Sequence, residues 1–311
     1  MPWNNHTVVT EFILLGLSSE PKTQVILFFI FLLVFIIILI GNISIIILIL
    51  SNVTLHTPMY FFLGNLSFLD LCYSSTIVPR MLKDLMSEKK TISYAECAAQ
   101  MYIALALGEN ECILLVIMAY DRYVAICYPL QYTIIMSKTV CVRLSICTWL
   151  CGFLHSIPHV SLTLSVDLCG NNKINHFMCE MPEILSLGCE NILFMELIIY
   201  VLGVIVLMAP VTFIVTSYVQ IILSILKIAS SAGQRKAFST CGSHLIVVTI
   251  FYGSAMAAYM KPRSISLPET DKLIAICYFI ITPMLNPMIY TLRNNDIKKA
   301  FLKFRIGNIL F

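Results

Sequence analysis

The composition and the long apolar segments of the sequence predict an all-α membrane protein, built as a bundle of seven transmembrane helices. Of 311 residues, 59% are hydrophobic and only 12% are charged, with a mean hydropathy of +0.89. Soluble domains carry roughly 25% charged residues, so this chain has too little charge to cover itself in water. The net charge of +3 is spread out. Without a basic run to follow a phosphate backbone, no nucleic-acid partner is expected, and the lipid bilayer is the expected surrounding.

Seven apolar segments are long enough to cross a bilayer. Backbone groups in lipid must be hydrogen-bonded within their own segment, which favours helices. The alternation that marks a membrane β-barrel is absent from the first segment. We therefore expect an extracellular N-terminus over 1–24, the helix bundle over 25–292 and a cytoplasmic tail over 293–311. The predicted spans are 25–50, 58–80, 98–120, 140–161, 197–224, 238–260 and 272–292.

Cysteines and a glycosylation motif predict the orientation of the bundle. Cys97, Cys169, Cys179 and Cys189 all fall on one proposed side, and disulfides persist on the outer side of a cell. The motif at Asn5 lies on that side as well, whereas lysine and arginine show only a weak bias. We predict an extracellular N-terminus without a cleaved signal peptide, glycosylation at Asn5, and disulfides whose pairing has three alternatives.

Polar residues at membrane depth are candidates for a functional site, because they are costly to place there. Asp70 lies in the second segment and Glu111 in the third, while Asn42 and Asn286 lie at similar depths in the first and seventh. These four residues predict a site that holds water with a proton or Na⁺. The alternative is a buried polar network that only fixes helix packing.

Several other functions are disfavoured by what the segments contain. The seventh segment has no mid-depth lysine that would carry retinal, since Lys272 falls at its outer edge. We find no histidine pair at metal spacing with an open carboxylate, the nearest case being His176 with Glu180, so no metal site is expected. There is no catalytic Ser/His/Asp order and no phosphate loop, so no enzyme is predicted. A signalling receptor and a seven-helix transporter or channel remain, although inverted repeats are not visible.

Five separate stretches carry a resemblance to a known family. They are LHTPMYFFLGNLSFLD (55–70), MAYDRYVAICYPLQY (118–132), SY (217–218), KAFSTCGSHL (236–245) and PMLNPMIYTLRN (283–294). The chain resembles an odorant (olfactory) receptor of the class II, terrestrial-type branch, within the rhodopsin-like G-protein-coupled receptors. The resemblance implies a plasma-membrane receptor without a cofactor. It would activate a stimulatory, olfactory-type heterotrimeric G protein and raise cAMP.

The resemblance also implies a conformational switch at the inner face. Arg122 ends the third helix with Asp121 as its local counter-ion in the resting state, and an ion pair that can be exchanged gives a two-state element. A pair that only marks the membrane boundary is the alternative. In the seventh segment Pro287 bends the helix so that Tyr290 can swing towards Tyr218. The implied switch residues are Asp121, Arg122, Tyr123, Tyr218, Asn286, Pro287 and Tyr290.

The resemblance further implies the disulfides Cys97–Cys179 and Cys169–Cys189. In the tail, apolar residues fall on one helical face with lysines opposite, which favours a short helix on the inner leaflet over a solvated basic tail. That apolar face consists of Ile297, Ala300, Phe301 and Phe304.

A ligand pocket is implied in the outer half of the bundle. Ala104 stands where amine-binding relatives carry an aspartate, which disfavours a monoamine ligand. Glu109 is either a pocket acid or a packing residue turned towards the fourth segment. The mostly apolar lining predicts a small, volatile, hydrophobic ligand. The implied pocket residues are Leu105, Gly108, Glu109, Cys112, Leu202, Gly203, Val206, Tyr252, Ala255, Met256, Tyr259, Ile276 and Phe279.

Overall fold

Among the residues that the computed structural model describes, seven helices are long and apolar enough to cross a membrane, which confirms the predicted fold class. The structure describes residues 9–168, 171–188, 193–227, 230–260, 267–293 and 297–301. The first six spans are α1 (Pro21–Ser51), α2 (Pro58–Leu85), α3 (Tyr94–Cys127), α5 (Lys138–Leu164), α7 (Leu193–Ile225) and α8 (Ser231–Tyr259).

The seventh span is interrupted. It consists of α9 (Pro268–Ile276), a π-helical turn (Cys277–Ile281) and α10 (Thr282–Arg293). Two short helices lie between spans, α4 (Tyr132–Ile135) and α6 (Met181–Leu185).

Local sequence signals explain where several helices begin. Proline occupies the first turn of α1, α2 and α9, where its missing N–H costs nothing and its fixed φ suits a helix. α3 begins with a capping box, in which the Ser93 hydroxyl accepts from the Glu96 N–H and the Glu96 carboxylate accepts from the Ser93 N–H. The capping box fixes the residue at which α3 begins, and α3 is the helix on which most of the polar residues lie.

A three-stranded sheet covers the end of the bundle at which α3 begins, and the sequence analysis did not predict it. β1 (Glu11–Leu14) lies between β2 (Thr91–Ser93), to which it is antiparallel, and β3 (Lys173–Ile174), to which it is parallel. We call this the sheet end of the bundle. A disulfide between Cys97 and Cys179, the pairing that the resemblance implies, ties α3 to the loop carrying β3.

α3 lies at the centre of the bundle and contacts α2, α5, α7 and α8. Its approach to α5 is especially close at Gly152. A Cβ atom added there would lie 2.7 Å from the Asn110 side chain and 2.8 Å from the Ala106 carbonyl oxygen. Small residues allow such backbone approach in membranes, where helices gain little from apolar burial against each other. Gly152 therefore sets the distance between α3 and α5.

We expect Gly152→Ala to lower the thermal stability of the purified protein, because the new methyl group meets a backbone oxygen that cannot rotate away. A loss of roughly 1–3 kcal/mol is expected for overpacking of this kind. The matched control is Gly253→Ala, since a Cβ at Gly253 meets nothing within 4 Å. Equal unfolding temperatures for the two variants would contradict this account of the α3–α5 contact.

Candidate functional site

A cavity of about 480 Å³ lies in the half of the bundle nearest the sheet end. Its walls come mainly from α3, α7, α8 and the seventh span, with one residue each from α2 (Tyr73) and α5 (His159). α6 and the loop before it contribute to its outer part. Most of the lining is apolar. The predicted pocket residues that line it are Leu105, Gly108, Glu109, Cys112, Gly203, Val206, Ala255 and Tyr259.

The predicted pocket needs correction at five positions, which do not line this cavity. Tyr252 is buried and its hydroxyl donates to the Cys112 carbonyl, 2.9 Å away, so it packs α8 against α3. Phe279 packs against Tyr73 instead, with ring centroids 4.8 Å apart. The π-helical turn changes the phase of the seventh span, so that Tyr278 faces the cavity. The five positions are Leu202, Tyr252, Met256, Ile276 and Phe279.

The cavity has a polar corner near the sheet end. The Tyr278 hydroxyl donates to the Glu180 carboxylate, and the Tyr259 and Tyr278 hydroxyls lie 3.3 Å apart. Burial raises the pKa of Glu180 to about 7. The sequence analysis named Glu180 only as a neighbour of His176 and did not place it in the pocket. Its contact with Tyr278 joins residues 98 positions apart, which no local pattern could reveal.

Glu109 both lines the cavity and faces the fourth span. Its Oε1 lies 3.0 Å from His155 Nδ1 and 3.9 Å from His159 Nδ1. The prediction that no histidine pair meets a carboxylate at metal spacing is therefore wrong. The two histidines are four residues apart, which puts them on one helix face. This spacing is the signal by which the sequence could have predicted the pair.

The four polar residues of the predicted ion site are all buried, but they do not form a closed ring. The Asn286 amide donates to both carboxylate oxygens of Asp70, at 3.1 and 3.0 Å. Asn42 instead donates to the Pro283 carbonyl, 3.1 Å away. Neither oxygen of Glu111 accepts a hydrogen bond from a described residue. The structure thus pairs Asp70 with Asn286 by hydrogen bonds and buries Glu111 beside these two residues.

The predicted direct pairing of Asp121 with Arg122 needs correction, because the two side chains form no ion pair within contact distance in this structure, although their opposite charges still interact. Asp121 accepts a hydrogen bond of 2.8 Å from the Tyr132 hydroxyl. Arg122 is buried and donates weakly to the Met118 carbonyl, 3.5 Å away. Tyr132, which ends the quoted motif, was not assigned a role from the sequence. Its hydroxyl competes with the arginine for the same carboxylate.

The other predicted switch residues are spread around Arg122. The Tyr218 hydroxyl lies 2.8 Å from His244 Nδ1, a partner that the sequence analysis did not identify. The buried Tyr290 hydroxyl has no hydrogen-bond partner among the described residues. Tyr123 points away, 3.4 Å from the Tyr128 hydroxyl. The structure therefore places Tyr218 and Tyr290 in the interior and Tyr123 at the rim.

Some predictions fall partly or wholly outside the described residues. In the tail, Ile297 and Ala300 are buried and Phe301 is 47% exposed, while Phe304 is not described. The others that lie outside are the glycosylation site Asn5 and the disulfide Cys169–Cys189.

Comparisons with known proteins agree on one family. The family model described as "Olfactory receptor" matches residues 31–306. The chain is 47% identical to olfactory receptor 5AR1 of Mus musculus, over 97% of this chain and 98% of that protein. It is 46% identical to olfactory receptor 2B2 of Homo sapiens, over 100% of this chain and 87% of that protein. It is 48% identical to olfactory receptor 13D1 of Homo sapiens, over 97% of this chain and 88% of that protein.

We expect Glu180→Gln to stabilise the receptor at pH 8 more than at pH 5. Burial raises the pKa of Glu180 from 4.5 in the unfolded chain to about 7 in the folded protein, so the folded protein binds the proton more tightly. The stability that this proton gives is complete below pH 4.5 and is lost as the pH rises through 7, where the buried carboxyl must ionise. Glutamine stays neutral, and the difference between the two pH values should be at most about 3 kcal/mol. Thermal unfolding at both pH values measures it, with the exposed Glu88→Gln as control. A pH-independent effect of Glu180→Gln would contradict the prediction.

Proposed function

The chain belongs to the olfactory receptor family, and we propose that it binds small, volatile, mostly hydrophobic molecules in the cavity at the sheet end. Members of this family are multi-pass membrane receptors and not enzymes, which decides against the transporter or channel hypothesis. The observation that carries the proposal is the apolar cavity of about 480 Å³ with a polar corner at Tyr259, Tyr278 and Glu180.

This cavity suits a ligand with an apolar body and one hydrogen-bonding group. Its volume is in the range of small-molecule sites, and the hydroxyls of Tyr259 and Tyr278 meet the Glu180 carboxylate at one corner. A volatile molecule has few non-hydrogen atoms, and the binding free energy per atom has a ceiling. The affinity should therefore be modest, roughly micromolar.

We further propose that the receptor activates a stimulatory, olfactory-type heterotrimeric G protein and raises cAMP. Arg122 and Tyr132 lie at the end of the bundle opposite the sheet, so ligand and G protein would bind at opposite ends. The sheet end would face the outside of the cell at the plasma membrane, because a disulfide such as Cys97–Cys179 persists in an oxidising compartment. The N-terminus would then be extracellular.

The hydrogen bond between Tyr132 and Asp121 suggests how the switch works. A carboxylate has room for a limited set of donors, so Asp121 can be bound by Tyr132 or by Arg122. When Tyr132 binds it, Arg122 lacks its neighbouring counter-ion and is available to a partner at this end. Ligand binding would shift the population between these two arrangements.

The ligand site is tested by filling the cavity. Gly203 lines the cavity, and a Cβ there meets nothing within 4 Å, so a leucine enters the cavity without a backbone clash. We expect Gly203→Leu to weaken the ligand-evoked cAMP response at least tenfold in cells expressing the stimulatory G protein. A broad panel of volatile compounds supplies the agonists for this measurement.

Gly253→Leu is the matched control, because Gly253 has the same open surroundings but does not line the cavity. It should respond like the unmodified receptor. A Gly203→Leu receptor with normal surface expression and an unchanged dose response would place the ligand elsewhere. A wild-type response that does not require the stimulatory G protein would overturn the coupling.

We also propose that the Asp70–Glu111 site holds a proton or a Na⁺ ion in the resting receptor. Two carboxylates in one low-dielectric region cannot both stay ionised without a cation. The two oxygens of Glu111 accept no hydrogen bond from a described residue, and Asp70 receives only the Asn286 amide. Activation would release or relocate the bound cation.

Glu111→Gln removes one charge and keeps the shape of the side chain. We expect a several-fold change in basal cAMP or in the agonist midpoint, and a weaker dependence of signalling on Na⁺ and pH. Glu88→Gln removes an exposed acid and should change neither. Wild-type behaviour of the Glu111→Gln receptor would show that this acid serves helix packing alone.

A further inference from the structure

Three side chains from two spans converge between α3 and α5. Glu109 comes from α3, and His155 and His159 come from one face of α5. Potential ligand atoms of all three lie within 4.8 Å of one another. The closest approach is 3.0 Å, between His155 Nδ1 and Glu109 Oε1.

The cluster leaves coordinating atoms unused. Glu109 is 5% exposed, and its Oε2 has no hydrogen-bond partner among the described residues. His159 is 2% exposed, and its Nδ1 lies 3.2 Å from the His155 backbone carbonyl. An Nδ1–H that donates to this carbonyl leaves Nε2 with a free lone pair. A histidine that binds a metal usually holds its other ring nitrogen in this way.

The position of the cluster makes an unused carboxylate oxygen costly. Glu109 and both histidines belong to membrane spans, where ionisable groups need a partner. No lysine or arginine lines the cavity in the part of the chain that the structure describes. The carboxylate therefore has the two imidazoles as its neighbours, and a cation between the three groups would satisfy both of its oxygens.

We propose that Glu109, His155 and His159 bind a divalent transition-metal ion of the zinc type. Two histidines four residues apart on a helix, with a carboxylate from a second element, form a His₂Glu ligand set. Around a tetrahedral zinc ion with bonds of about 2.0–2.2 Å, the ligand atoms lie roughly 3.4 Å apart. The pair at 3.0 Å would therefore open slightly, and the wider pairs would close by at most roughly 1 Å. Rotamer changes of exposed His155, whose side chain is 43% exposed, allow this movement.

The site leaves one coordination position towards the cavity. Glu109 and His159 line the cavity and His155 does not, so a fourth ligand of a tetrahedral ion would come from the cavity side. Water would occupy this position at rest. A nitrogen or sulfur donor of a small molecule could replace the water, because zinc accepts both. Glu109 would then act on the ligand through the metal rather than by direct contact.

The test uses purified full-length receptor in lipid nanodiscs with the metal alone. We expect isothermal titration with Zn²⁺ to give one tight site per receptor and Zn²⁺ to raise the unfolding temperature. His155→Ala and Glu109→Gln should each weaken binding at least tenfold. Co²⁺ bound in place of Zn²⁺ should give tetrahedral visible absorption that both variants lose.

Two controls separate this cluster from other binding groups. His56→Ala removes an exposed histidine on the far end of the molecule, and Glu183→Gln removes an acid from the cavity. Both should bind Zn²⁺ like the unmodified receptor. Because His155→Ala removes the hydrogen-bond partner of Glu109 Oε1, the rise caused by Zn²⁺ is measured for each variant from its own metal-free unfolding temperature.

Absence of stoichiometric Zn²⁺ binding by the unmodified receptor would overturn the proposal, and so would undiminished binding by His155→Ala and Glu109→Gln. Binding lost in Glu183→Gln but kept in His155→Ala would assign the ion to the acids of the cavity instead. No odorant is needed, so failure here leaves the proposed receptor function standing.

Discussion

The cost of leaving polar groups without partners in a lipid-surrounded interior governs this structure. α3 bears most of that cost, because Glu109, Glu111, Asp121 and Arg122 are all buried along it. Each requires partners from a neighbouring span. The close α3–α5 contact at Gly152 and the central position of α3 bring those neighbours within reach. The packing of the bundle follows from this requirement as much as from apolar contacts.

The same helix connects the two ends at which the receptor would act. With 34 residues α3 is about 50 Å long, which exceeds the hydrocarbon thickness of a bilayer. Its N-terminal half contributes Leu105 and Glu109 to the cavity, and its C-terminal end carries Asp121 and Arg122. Under the proposed function, a displacement caused by a ligand in the cavity would be transmitted along this one helix. Glu111 lies between these two regions.

Partner exchange is the feature that unites the polar sites. Asp121 is bound by Tyr132 although Arg122 is its neighbour in sequence, and Asn286 occupies both oxygens of Asp70 while Glu111 has no donor. Each carboxylate has more potential partners than it uses. A conformational switch needs sites of this kind, at which one group can exchange one partner for another.

The sequence by itself determined the fold class, because seven apolar segments of sufficient length admit no other arrangement of satisfied backbone groups. It also predicted that Asp70 and Asn286 lie at similar depths, and it named four α3 residues that line the cavity, Leu105, Gly108, Glu109 and Cys112. It did not determine the partners of charged residues, since Asp121 with Tyr132 or Glu180 with Tyr278 depends on how loops and helices pack. Nor could it place Phe279, because the π-helical turn changes the helix phase without a local signal. Only the tertiary structure decided which side chains from distant segments contact each other. Such contacts depend on how the helices and loops pack, and the periodicity of the sequence does not encode that packing.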